Sequence, residues 1–270
     1  MIQTTLDDAY LTAQYNLPLY RIKTFDIYPT LTHAIFTRLG GFSKPPFRSL
    51  NMSYAVGDAD IAVEQNFELA CQAVQITTSQ TVSCHLVHRP DVLTIDYTNR
   101  QRMMGYADGL VTNKPNVYLA MRFADCTPLI FFDPIQKIIG LSHAGWRGTM
   151  QNIAGETVQA MRQLGAVSEN IIVVIGPSIG PCCYEVGAEV LDAARQTFRK
   201  HDRLFDYCHG KNQRPYFDMW QANQQLLSEV GVRKIIYTNQ CTACNTDMFF
   251  SHRAENGRTG RFGVIIGLNK

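Results

Sequence analysis

No apolar run in this chain approaches the roughly 20 residues that a bilayer crossing requires. The first stretch, MIQTTLDDAYLTAQYNLPLY, lacks the basic start, apolar centre and small-residue cleavage site of a secretory signal. These two absences point to a cytoplasmic protein with no membrane partner. An excess of one charge is missing too: 25 Lys and Arg stand against 23 Asp and Glu, a formal net charge of +2. With no basic cluster to set against that balance, the sequence argues against nucleic acid as a partner. Internal repeats, low-complexity tracts and long linkers are absent as well.

What remains is an ordinary globular composition of 270 residues, 46% hydrophobic and 18% charged, long enough to bury a substantial core. The periodicity predicts helices over 61–74, 149–164, 187–200 and 218–231, the last begun by Asp218 as its cap. Short apolar or alternating runs predict strands: DVLTIDY, ADGLVT, NVYLAMRF, PLIFFD, KIIGLSHA, NIIVVIG, RKIIYT and FGVIIGL. Strands outnumber helices and several follow one another directly. The expected fold class is therefore α/β, a compact mixed sheet with helices on its faces, in one domain over 1–270. The alternative is an N-terminal lobe ending near Gln80, docked on the rest.

Eight cysteines in a chain of this kind read as free thiols, mostly small buried hydrophobes: Cys71, Cys84, Cys126, Cys182, Cys183, Cys208, Cys241 and Cys244. CTAC, Cys241 to Cys244, has the spacing of half a zinc site or of a redox pair. No second Cys-x-x-Cys exists, so a structural loop with thiols is the preferred reading. The vicinal Cys182 and Cys183 sit in IGPSIGPCCYEVG, whose glycines and prolines shape a loop that reads as cleft wall.

Three polar residues interrupt apolar segments at strand ends: His88 in CHLVHRPDVL, Cys126 in RFADCTPLIFF and His143 in GLSHAGWRG. Two imidazoles and a thiolate make a three-ligand set for zinc, with a fourth position left for water or substrate. Each residue also has a plainer explanation, packing for the cysteine and a hydrogen bond for each histidine, and spacing alone does not choose. Arg38, Arg147 and Arg253 lie beside glycine-rich turns, a setting that suits an anionic ligand, though each alone is as readily an ion pair.

FTRLGGFS, SLNMSYAVGD, LVH, ADGLVT, ADCTPLIFFDP, HAGWRGT, IGPSIGPCCYEVG and FFSHR…NGRTGRFG follow in that order across nearly the whole chain. In these motifs it resembles the YfiH/YlmD-type family, long labelled polyphenol oxidase or laccase-domain proteins. The resemblance implies a compact α/β fold of layered sheets and helices. It also implies a metal, usually zinc, held by residues corresponding to His88, Cys126 and His143. The family's Gln-Val-His-Gly is Leu86-Val87-His88-Arg89 here, which puts the shape of that loop in question; His85 is a neighbour that could replace a lost polar contact.

Family activities are phosphorolysis of adenosine, inosine, guanosine and methylthioadenosine, and deamination of adenosine. Some bacterial members instead hydrolyse a misincorporated serine from the muramyl precursor of peptidoglycan. The expected function is thus a zinc-dependent purine nucleoside enzyme with nucleoside and phosphate as small-molecule partners, monomer favoured. The alternatives are an amidohydrolase of cell-wall precursors and a non-catalytic metal-binding protein. Cys126, His143, Asp125 and Arg38 are the catalytic candidates. Arg38, Asn51, Trp146, Arg147 and Arg253 are the substrate-binding candidates. Laccase chemistry is disfavoured: multicopper oxidases array their metals on His-x-His pairs, and none occurs among the seven histidines here. Copper is expected at most as an adventitious occupant of the zinc site, because it binds such ligands more tightly.

Overall fold

The structure, a computed structural model, describes residues 3–5, 8–99, 103–207 and 214–270. Cys208 lies outside them. The strand β10 (Thr127–Asp133, TPLIFFD) shows how the sequence builds the fold. All seven of its residues are buried, as expected of a strand covered on both faces. Leu129 and Phe131 point to one apolar cluster and Ile130 and Phe132 to another.

Around β10 runs a sheet of seven strands. Its spatial order is β1 (Gln3–Thr5), β15 (Lys234–Tyr237), β12 (Ile172–Ile175), β10, β11 (Ile138–Ala144), β8 (Gly109–Thr112) and β6 (Val92–Thr94). A second seven-stranded sheet has the order β2 (Ala9–Gln14), β3 (Leu17–Ile22), β4 (Leu31–Phe36), β16 (Phe262–Leu268), β9 (Tyr118–Phe123), β5 (Thr81–His85) and β7 (Met103–Tyr106). Both are mixed: β10 and β11 pair antiparallel, whereas β12 and β15 pair parallel. A short ribbon, β13 (Phe205–Asp206) with β14 (Tyr216–Phe217), stands apart.

The sheets pack face to face. Ile130 and Phe132 meet Leu119 and Met121 of β9 and Val264 and Ile266 of β16 in one cluster. The outer face of the first sheet is covered by α3 (Trp146–Met150), α4 (Ile153–Gln163), α5 (Ala188–Thr197) and α6 (Met219–Glu229), with Val158, Met161 and Leu226 against Leu129 and Phe131. The outer face of the second is covered by α2 (Asp60–Ala73), whose Phe67 and Ala70 meet Phe36, Ala120 and Ile265. The short α1 (Lys23–Asp26) buries Phe25 between the sheets. Each fully buried Phe, Leu or Ile contributes about 1.5–3 kcal/mol, so the layers hold one another. No helix among the described residues is long and apolar enough to cross a membrane.

Several expectations change. The segment before Gln80 contributes to the second sheet: β4 pairs with β16 near the other end of the chain, from Leu31↔Leu268 to Ile35↔Val264. The helix expected over 149–164 begins earlier, at Trp146, and breaks at Asn152. There a left-handed backbone (φ 63) lets the side chain accept from Gly155 N and cap α4. Arg147 and Gly148 are thus helical, and the turn after β11 is Gly145 alone. The strand expected over DVLTIDY stops at Thr94, because the Asp96 carboxylate accepts from the amides of Thr98 and Asn99 and closes a turn. Asp218 does cap α6, accepting from Gln221 N.

The feature that matters for function is where the chain changes sheets. It crosses from the second sheet to the first between β5 and β6, between β7 and β8, and between β9 and β10. These three crossings carry His88, Asp108 and Cys126.

Candidate metal centre and its cavity

His143 enters from β11, paired opposite Pro128 of β10 and buried. Cys126 sits just before β10 on the tight crossing 124–126. His88 is presented by the β5–β6 crossing in a left-handed conformation, φ 59. One donor atom from each lies within 4.8 Å of the other two, so the three form a group able to hold a metal ion. The two imidazole rings meet edge to face, centroids 4.9 Å apart.

Two observations bear on how these residues could hold an ion. Gly145 leaves room for them: a Cβ there would stand 3.0 Å from Cys126 Sγ and 3.1 Å from His88 Cδ2. The second is Asp108. Its Oδ1 lies 2.8 Å from His143 Nδ1, and its Oδ2 accepts from the amides of Val87 and Arg89, both at 2.9 Å. One buried carboxylate thereby fixes the His143 ring, turns Nε2 toward the other donors, and clasps both residues flanking His88. That is the usual arrangement behind a metal-bound histidine.

The clasp also answers the question of the altered loop. The residue that needs positive φ is His88 itself, not Arg89, so a side chain at 89 is tolerated and stays exposed. Leu86 packs against the inter-sheet cluster and lines the cavity. His85 is exposed on the same wall, its ring 5.4 Å from that of Tyr106.

Electrostatics bind the donors together. Burial alone would push the Cys126 thiol up, but the His143 and His88 imidazoles outweigh it and hold the thiol near 6. Burial would push His143 down; the Cys126 thiolate and the Asp108 carboxylate raise it instead, to about 9. The site therefore favours a sulfur anion ready to ligate.

The group opens onto a cavity of about 730 Å³, a size suited to a small-molecule ligand. Its walls include Tyr54, Tyr106 and Tyr184, the cations Arg122, Arg253 and Arg261, and His252. Burial, then the Cys126 charge, pushes the Tyr184 phenol well up, so it stays neutral. Burial lowers the Arg261 guanidinium, with the charges of Cys126, Asp125 and Glu255 pulling the other way.

The other residues singled out from the sequence fall into two sets. Asp125 and Arg253 line the cavity. Asp125 has both oxygens engaged, Oδ1 accepting from Thr242 Oγ1 at 2.7 Å and Oδ2 from Arg253 N at 2.6 Å, so it anchors the wall beside Cys126. Arg253 donates through Nη1 to Glu185 O and lies over the Tyr184 ring. Arg38 and Asn51 are not on the walls. Arg38 donates to Thr246 O and Arg48 O, pairs with Glu255 at 3.0 Å and covers Phe250. Fully buried Asn51 donates to Ser53 O and Asp58 and accepts from Ser53 N and Arg261 N. Both are tied into the scaffold by these contacts. Trp146 packs against the helical cluster, and exposed Arg147 stacks on its ring at 4.3 Å, outside the cavity walls.

Sequence reasoning missed Asp108, because Asp before Gly reads as a turn signal. It missed Arg261 and Tyr184, which sit inside the quoted motifs but show no periodicity. It also misjudged the cysteines: Cys71 and Cys84 are buried, but Cys182 and Cys244 are exposed, and CTAC and PCCY come together, although they lie about sixty residues apart.

Comparison with known proteins agrees with this architecture. The sequence profile described as multi-copper polyphenol oxidoreductase laccase matches residues 32–269. The purine nucleoside phosphorylase YlmD of Geobacillus stearothermophilus is 36% identical over 241 residues, covering 86% of this chain and 88% of that protein. Its namesake in Bacillus subtilis is 34% identical over 246 residues, with 87% of each covered. The crystal structure of the Bacillus licheniformis hypothetical protein YfiH superposes with a TM-score of 0.90 at 32% identity, over 98% of this chain and all of that one.

Proposed function

The chain belongs to the multi-copper polyphenol oxidoreductase laccase family, and from that premise we propose that it is a zinc-dependent purine nucleoside phosphorylase acting at His88, Cys126 and His143. The observation that carries the reading is the junction of two features: a three-donor metal group, and a ligand-sized cavity whose walls offer aromatic rings beside guanidinium groups. Relatives named purine nucleoside phosphorylase support the choice of substrate.

The chemistry needs three things from the protein. A phosphate oxygen must be held against C1′ of the ribose, the glycosidic bond must break with its electron pair leaving on the purine, and the base must pick up a proton. Arg253, one of the three arginines whose glycine-rich setting suits an anion, and Arg261 line the cavity with the metal group and suit the phosphate. Tyr184 and Tyr106 offer faces for the purine ring. Positioning of this kind supplies much of the rate when two reactants must meet in one geometry, as in glycosyl transfer to phosphate. When bound, zinc supplies Lewis-acid charge that stabilises the anion developing as the bond breaks. Asp108 holds His143 in its ligating tautomer throughout.

The oxidase wording of the family description fits this chain poorly. A three-donor site and seven histidines, none in a His-x-His pair, do not build a multicopper array. The setting we propose is the cytoplasm, with the chain working as a monomer.

The test incubates zinc-loaded protein with adenosine, with and without phosphate, beside the His143→Ala variant, and separates products by chromatography. Adenine and ribose 1-phosphate formed only with phosphate, and lost in the variant, are the expected result. Inosine formed without phosphate would replace phosphorolysis with deamination at the same centre. No product in either arm would overturn the nucleoside reading and turn attention to muramyl-serine hydrolysis.

A further inference from the structure

Two loops from the same sheet meet beside the cavity. One follows β12 and contains Cys182 and Cys183; the other follows β15 and contains Cys241 and Cys244. Ser178 and Cys241 form a parallel bridge, with Ser178 N donating to Gln240 O and Thr242 N to Ser178 O. The four sulfurs converge: each lies within 4.8 Å of the others, Cys182 Sγ is 3.5 Å from Cys244 Sγ, and Cys183 Sγ is 3.3 Å from it.

We propose that Cys182, Cys183, Cys241 and Cys244 form a second, structural zinc site, a tetrathiolate that staples these two loops together.

Distance is the first argument. Four sulfurs about 2.3 Å from a common tetrahedral zinc stand about 3.8 Å apart, which is the scale seen here. An iron–sulfur cluster would place several irons and bridging sulfides between the thiolates and spread them farther. Ligand number is the second. Four protein sulfurs close the coordination sphere and leave no position for water, so the site is structural where the His88, Cys126 and His143 group is open.

The surroundings are the third. Gly180 N donates to Cys241 Sγ at 3.2 Å, the kind of backbone contact that stabilises a thiolate and orients it. Gly180 also lies close against the second loop and α6. A Cβ there would stand 3.0 Å from Trp220 and 3.2 Å from Cys241 Cβ. Cys183 N and Tyr184 N both donate to Gly180 O, which folds the vicinal cysteines back toward Cys244. Four mutually close thiolates would repel one another, and a dication removes that cost.

The consequence reaches the cavity. Tyr184, next to Cys183, lines it, and Thr242, next to Cys241, holds the Asp125 carboxylate. An ion here would therefore fix the wall opposite the His88 loop without touching substrate.

The test uses protein purified in reductant and counts zinc per folded chain by elemental analysis. Parent protein is expected to hold two ions, and Cys126→Ser to hold one. The Cys241→Ser/Cys244→Ser pair is expected to lose one ion while keeping the other. Cobalt gives a readout that survives a failure of the paired variant to fold. In Cys126→Ser the central group has no sulfur, so thiolate-to-cobalt charge-transfer absorption there reports the four cysteines alone. A Cys126→Ser chain without zinc and without that absorption would overturn the proposal, as would an unchanged zinc count in the paired variant. Neither readout depends on turnover of any nucleoside, so loss of the phosphorylase reading would leave this site standing.

Discussion

Asp108 holds His143 from the crossing between β7 and β8: its Oδ1 lies 2.8 Å from His143 Nδ1, and His143 N donates to the Asp108 carbonyl at 2.8 Å. Because the other carboxylate oxygen clasps the amides on either side of His88, one side chain positions two of the three residues of the His88, Cys126 and His143 group.

Asp108→Asn keeps the shape but loses the charge and one acceptor. Metal affinity is expected to fall about 10–100-fold, the usual effect of losing such a partner. Competition with a chromophoric chelator measures this, and an unchanged affinity would remove Asp108 from the site.

Gly145→Ala tests the space around the donors. Its backbone, φ −73 and ψ 171, is open to any residue, so the substitution acts by its methyl group against Cys126 Sγ and His88. We expect weaker metal binding while fold stability stays within about 1 kcal/mol of the parent. Equal metal content and activity would show that the donors can move aside freely.

Arg261→Met and Arg253→Met separate phosphate from nucleoside. Loss of a charge-assisted hydrogen bond of about 1.5–3 kcal/mol corresponds to a rise of about 10–100-fold in KM for phosphate. The KM for nucleoside should change far less. Equal changes in both would assign these arginines to the shape of the wall.

His33 predicts a pH dependence of stability. Burial, reinforced by the Arg21 charge, lowers its imidazole from 6.5 to about 3, while Nε2 accepts from Ile22 N. Below pH 6.5 the unfolded chain takes up a proton that the folded chain refuses. Stability is therefore lost as pH falls from 6.5 toward 3, by at most about 1.4 kcal/mol per pH unit from this group. His33→Gln retains an acceptor for Ile22 N and should flatten that slope in denaturant titrations at pH 4 to 6. An identical slope in both proteins would assign the acid sensitivity elsewhere.

The sequence by itself determined the local elements. The short unbroken apolar run in TPLIFFD, bounded by turn residues, reads as a strand covered on both faces, and Asp218 marks the start of α6 by accepting from Gln221 N. The motifs also singled out His88, Cys126 and His143, whose donor atoms the fold brings within 4.8 Å of one another. Helix and strand periods are short-range, so they can be read from a few consecutive residues.

Only the tertiary structure decided what those residues face. His88, Asp108 and Cys126 lie on three separate crossings between the sheets, and nothing local records that the crossings meet beside His143. Arg38 looked like an anion ligand from its glycine neighbours, yet Glu255 and distant carbonyls claim its guanidinium. PCCY and CTAC looked like unrelated loops until the parallel pairing of β12 with β15 brought their ends together. The physical reason is the same in each case: sheet pairing sets which loops become neighbours, and that pairing is made by residues far from the loops themselves.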